Sequence, residues 1–190
     1  MTSLDWWLQS PGLWITGLVL AVALLGLAGW LIWRRRTAMQ RQLRAAINAI
    51  AHATLRDIFL PDGMDGHIHL DYLLLTDNGL LVLDVKDIRG AIFGAAKMDQ
   101  WAVMHGTQRY TFRNPLGPLT EKVGAVKALA RNTAVEGLII FMPHGEFPKG
   151  LPEHSCLLDD LQNRTKGAAP APGLNECWER LRELAQPAKH

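Results

Sequence analysis

From Leu13 to Trp33 the chain runs for 21 residues without one charged side chain. A helix needs about 20 apolar residues to cross a hydrocarbon core, because its backbone polar groups must be satisfied within the segment. The run therefore predicts a transmembrane helix over residues 13–33. Trp14 sits near one end and Trp30 and Trp33 near the other, where amphipathic rings favour the interface; Trp6 and Trp7 lie just outside the first end. Arg34, Arg35 and Arg36 follow at once, then Arg41 and Arg44, whereas the leading side holds only Asp5 and the free amine. That asymmetry marks the C-terminal flank as cytoplasmic and turns residues 1–12 outward. The expected location is the inner (cytoplasmic) membrane, with one span and a cytoplasmic C-terminal domain. A cleaved signal peptide wants a basic start, a shorter apolar core and a small-residue exit, none of which is present. Gly26 and Gly29 read as lipid-facing small residues rather than as a helix-packing seam.

Beyond the span the chain is long enough for one small domain with appendages. Lys and Arg total 20 against 18 Asp and Glu, so the chain is not a broadly basic nucleic-acid binder. Cys156 and Cys177 fit neither a zinc pair nor a redox pair and read as reduced thiols.

Ala38 to Asp57 reads as a basic helix leaving the membrane, with Leu43, Ile47, Ile50 and Leu55 near helical spacing. Pro61, Asp62, Gly63, Asp65 and Gly66 make a loop. His67–Leu75 and Leu80–Lys86 read as strands joined by Thr76-Asp77-Asn78-Gly79, a hairpin composition. Ala91–Phe93 is a short strand, and 101–104 with 108–112 form a second hairpin around His105-Gly106. A helix is expected over 120–131, with Leu119, Val123, Val126 and Leu129 on one face, then a buried strand over 135–142. Residues 143–153 form a loop and 155–158 a last strand. A flexible linker spans 166–173, and a terminal helix carries Leu174, Trp178, Leu181 and Leu184 on one side. Strands and helices mixed in this order predict an α/β fold, a mixed sheet with helices packed on it.

Strand side chains alternate faces, so Asp84 and Lys86 share one. A loop of residues 76–79 pairs Leu75 with Leu80 and sets Asp71 opposite Asp84. A turn of Asn78-Gly79 alone sets Asp71 opposite Lys86. Both registers bring Asp71, Asp84 and Lys86 onto one face. Directly opposed carboxylates repel, and burial among leucines raises a carboxyl pKa. A divalent cation offsets both effects, since Mg²⁺ takes one or two carboxylates plus water and phosphate oxygens. A lysine alongside suits work on a water or a phosphate. The same spacing also suits a solvated strand face with a structural Asp–Lys pair. His67 and His69 share the face of Asp71 and read as bystanders; Asp87 reads as a turn residue.

At these residues the chain resembles the nuclease-related domain (NERD) family of the PD-(D/E)xK, restriction-endonuclease-like superfamily. The resemblance runs from about Leu55 to Met142. It rests on His69-Leu70-Asp71-Tyr72, on Asn78-Gly79 through Asp84-Val85-Lys86, on Gly90, Gly94 and Trp101, and on Asn114-Pro115-Leu116. It implies a central mixed sheet flanked by helices. It further implies Asp71 and Asp84 as Mg²⁺ ligands with the Val85 carbonyl as a third, Lys86 as the catalytic lysine, and hydrolysis of phosphodiester bonds in DNA or RNA. The sequence departs from the family pattern twice. Residues 38–56 hold no acid where a helical glutamate is usual, and Pro118 stands near the place of a glutamine.

The organisation expected is an outward segment 1–12, a span 13–33, a basic helix 34–54, a NERD-like domain 55–165, and a linker with a C-terminal helix over 166–190. The expected function is a membrane-anchored, Mg²⁺-dependent nuclease, its partners the lipid bilayer and DNA or RNA. The alternative is a catalytically weak or inactive nucleic-acid-binding or scaffolding module. Arg89, Lys97 and Arg113 are the candidate nucleic-acid contacts, with Arg109, Lys122 and Lys127 as further basic positions that scattered surface charge explains equally well.

Overall fold

The computed structural model describes residues 11–62, 66–162, 166–167 and 169–188. Asp5, Trp6 and Trp7 of the outward segment, Gly63 and Asp65 of the loop, and position 168 of the linker lie outside the described residues. The chain divides into two compact units, residues 1–44 and 45–190.

The first unit is made by most of one helix, α1 (Pro11–Ile50). It is long and apolar enough to cross a membrane, with a mean hydropathy of 2.1 in its most apolar stretch. Its side chains from Thr16 to Arg34 are exposed, Leu18 by 67% and Leu25 by 73%. A surface so apolar is unfavourable in water and suited to lipid. The Arg34 guanidinium lies over the Trp30 ring, 5.3 Å from its centroid, a favourable cation–π geometry.

In the second unit the central sheet has six strands in the order β10 (Gln186–Pro187), β1 (Ala53–Pro61), β2 (His67–Thr76), β3 (Gly79–Lys86), β7 (Val135–Phe141) and β9 (Ser155–Leu157). The left half is antiparallel, and β3–β7–β9 are parallel. A smaller sheet follows the order β6 (Gln108–Arg113), β5 (Gln100–His105), β4 (Gly90–Phe93) and β8 (Gly145–Glu146). The expected α/β class with a mixed sheet and flanking helices is therefore correct. The second hairpin, however, belongs to its own sheet.

Three expectations need correction. The helix expected to reach Asp57 stops at Ile50: the His52 N–H bonds to the Leu75 carbonyl at 2.7 Å, and Ala53 onward pairs with β2. Leu55 is thus a strand residue. The terminal helix α4 (Pro172–Leu184) begins inside the expected linker. It buries Cys177, Trp178 and Leu181, whereas Leu184 is 41% exposed. A short helix α3 (Leu158–Gln162) and the two strands β8 and β10 add elements that the sequence pattern did not suggest.

The helix α2 (Leu116–Ala130) packs directly on β7. Gly137 in β7 makes this possible, because a Cβ there would sit 2.6 Å from Val123 Cγ2 and 2.9 Å from Leu119 Cγ. Trp101 is fully buried, packed edge-on to Phe112 and stacked near Phe141 with centroids 6.1 Å apart. Truncating such a core aromatic costs about 3–5 kcal/mol. Gly94 leaves room for the indole, whose Nε1–H donates to the Ala95 carbonyl at 3.2 Å. Asn114 fixes where α2 starts: its Oδ1 accepts the Leu116 N–H at 2.9 Å, and its amide donates to the Ala96 and Met98 carbonyls. Cys156 and Cys177 are both buried.

Candidate active site

The register of β2 on β3 pairs Leu75 with Leu80, Thr76 with Gly79 and Tyr72 with Leu83. One step further along the same ladder sets Asp71 opposite Asp84. Of the two registers open from the sequence, the first is adopted, with Asp77-Asn78 at the tip.

Asp84 lies in the middle of the sheet, flanked by β2 and β7, and is 1% exposed. Among the described residues it is the one buried side chain that is not hydrophobic. An isolated carboxylate there would carry a penalty of several kcal/mol. Two ammonium groups offset it. Lys86 Nζ, on the same strand, is 2.9 Å from Asp84 Oδ2, and Lys122 Nζ, from α2, donates to Asp84 Oδ1. Burial pushes the Asp84 carboxyl up, but the hydrogen bonds from Lys122 and Lys86 outweigh it and hold the group below the ordinary carboxylate range.

Asp71 is more open, its side chain 26% exposed. Its Oδ2 accepts the Val85 N–H at 3.0 Å, which locks the carboxylate toward β3. Its Oδ1 faces Lys122 Nζ at 3.9 Å and His69 Nδ1 at 3.7 Å. His69 Nε2 in turn lies 2.6 Å from Asp57 Oδ1. Asp57 holds a left-handed φ of 53° at the point where the β1–β2 ladder lacks a pair, opposite Asp71. A non-glycine residue there is uncommon, and Asp tolerates it better than most.

The structure thus gathers Asp71, Asp84, Lys86 and the Val85 backbone at one place. It does not bring Arg89, Lys97 or Arg113 to them. Those three are exposed and lie beside or in the smaller sheet, without a described ion pair to either carboxylate. His67 is exposed, and Asp87 at the end of β3 pairs with His144.

Lys122 is the residue whose place the sequence reading missed. Grouped there with surface basic positions, it is only 14% exposed and spans both acids. The available signal was its spacing: it sits three after Leu119 and four before Val126, both buried, so it belongs to the inward stripe of α2.

The donor set fits a small, hard cation. Among the described residues no three His, Cys, Asp or Glu side chains are grouped as a metal site. Two carboxylates, a main-chain carbonyl and water are nonetheless what Mg²⁺ takes. The Lys122 ammonium lies between the two acids, reaching one directly and the other at 3.9 Å.

The NERD family belongs to the PD-(D/E)xK superfamily, whose mixed α/β architecture agrees with the fold described above. Within that class, residues 34–142, more than half of the chain, match the nuclease-related domain (NERD) family, and the chain belongs to that family. The match begins at Arg34 and so takes in α1 from there to Ile50, which a resemblance starting at Leu55 leaves out. No curated protein and no solved structure matches the chain.

Proposed function

We propose that this protein is a membrane-anchored, divalent-metal-dependent nuclease that hydrolyses phosphodiester bonds in DNA or RNA. The observation that carries the reading is that Asp71 and Asp84 both face the Lys122 ammonium, while Lys86 takes the other oxygen of Asp84. In this reading α1 anchors the chain in the inner membrane with residues 1–12 outside and the domain of residues 55–165 in the cytoplasm.

Asp71 and Asp84, with the Val85 carbonyl, would hold Mg²⁺. When bound, such an ion polarises a phosphoryl oxygen and acidifies a coordinated water. Asp84 is fixed by its burial, so its carboxylate is held in place. Asp71 is oriented by the Val85 N–H. Lys86, about a third exposed, can turn from Asp84 to a phosphate oxygen or to the attacking water. His69 and Asp57 brace Asp71 from the other side. Arg89, Lys97 and Arg113 are proposed to contact the nucleic-acid backbone at exposed positions.

The test is cleavage of labelled DNA and RNA by the detergent-solubilised full chain with Mg²⁺ or Mn²⁺. Asp84→Ala and Lys86→Ala should each lower the rate by about 100-fold or more. Cutting that survives both substitutions refutes the assignment. One observation favours a second reading, a weak or inactive nucleic-acid-binding or scaffolding module: two ammonium groups already neutralise the two acids. Nucleic-acid binding without any cutting would select it.

A further inference from the structure

We propose that Lys122 is a tethered cation that competes with the divalent ion for the carboxylate pair, so that metal uptake is an exchange. The inference rests on the metal-site reading above and adds to it a residue and a consequence.

Both oxygens of Asp84 carry an ammonium, Lys86 on Oδ2 and Lys122 on Oδ1. The two lysines are not equivalent. Lys86 lies on the same strand as Asp84 and, among the described residues, pairs with that acid, with 32% of its side chain exposed. Lys122 comes from α2, is 14% exposed, and is the one that also faces Asp71. An ion ligated by both carboxylates needs the place that Lys122 holds, whereas Lys86 can remain. Charge points the same way. Two carboxylates balance two ammonium groups, so a divalent ion added without a departure leaves two positive charges in excess, in a place with little water to screen them. Releasing Lys122 halves that excess.

The position of Lys122 in α2 supports a designed competitor over an incidental contact. An amine on the inward stripe with Leu119 and Val126 is costly unless an acid receives it. The helix is held there from two sides. Gly137 lets α2 approach β7, and Asn114 sets its first turn. Lys122 is therefore delivered to the acids by the packing of the fold.

The experiment measures Mn²⁺ binding by calorimetry on the full chain in detergent after chelator treatment. Lys122→Met, which keeps the length and removes the charge, should bind Mn²⁺ about tenfold or more tightly than the unsubstituted chain. Lys122→Arg, which keeps the charge, should stay near the unsubstituted affinity. Adding Asp84→Asn to Lys122→Met should abolish the gain. Should Lys122→Met fail to fold, Lys122→Gln gives the same comparison, and the rise in melting temperature on adding Mn²⁺ is a second readout. Affinity that is unchanged or weaker in the uncharged variants, yet lost in Asp84→Asn, overturns the exchange and leaves the metal site standing. Absence of Mn²⁺ binding in both the unsubstituted chain and the uncharged variants overturns the exchange and the metal site together.

Discussion

Replacing Asp84 by alanine should destabilise the domain strongly, and removing Lys122 as well should restore most of the loss. The single substitution leaves two ammonium groups without their shared acid. Lys86 is 32% exposed and turns into water, so its share is at most about 1 kcal/mol. Lys122 is 14% exposed, and its nearest remaining carboxylate oxygen, on Asp71, is 3.9 Å away. Breaking a buried pair by removing one partner costs about 3–5 kcal/mol. For a domain of this size each kcal/mol lowers the melting temperature by about 2–4 °C, giving a fall of roughly 6–20 °C. Asp84→Ala with Lys122→Met replaces a charge pair by apolar groups and should lie within about 1–2 kcal/mol of the unsubstituted chain. Urea denaturation with a chelator present, followed by the fluorescence of buried Trp101 and Trp178, reads all three proteins. A single variant within about 1 kcal/mol of the parent, or a double variant no better than the single, refutes the reasoning.

Two further outcomes rest on the packing and the charges. Gly137→Ala places a methyl 2.6 Å from Val123 and should cost about 1–3 kcal/mol in urea denaturation; unchanged stability would mean that α2 is not held as close as described. Asp77 and Asp84 both hold folded pKa values below the ordinary one, Asp77 through its hydrogen bond to His52 and Asp84 through its two lysines against the effect of burial. Depressed acids contribute stability above the unfolded pKa of about 3.9 and lose it as pH falls through the folded value. An acid titration by circular dichroism should therefore be flat above about pH 5 and fall below about pH 4, and Asp84→Asn should flatten the acid limb; an identical limb in that variant contradicts the assignment.

Local signals carried much of this fold to the surface of the sequence. The apolar run with its arginine exit, the turn at Asp77-Asn78 and the two-residue alternation through Leu83, Asp84, Val85 and Lys86 each depend on neighbours in the chain. The first strand did not show itself, because Leu55 continues the spacing of Ile47 and Ile50. What ends the helix is pairing with residues about twenty positions later, a tertiary event. The two-residue strand β10 depends likewise on β1. Among the grouped residues, the shared face of Asp71, Asp84 and Lys86 followed from strand alternation and the hairpin, while the place of Lys122 needed its spacing from Leu119 and Val126 on α2 as well. A lysine in isolation reads as solvated, and only the burial of Leu119 and Val126 around it shows which way it turns.

The balance of charge at Asp71, Asp84, Lys86 and Lys122 reaches beyond the contacts themselves. A lone pair of acids would project a negative field that slows any polyanion on its way in. Here the four formal charges sum to zero within a few ångströms, so almost nothing of that field survives one screening length, about 8 Å in physiological salt. On the proposed function, a phosphate chain approaching these four residues would meet little net charge from them.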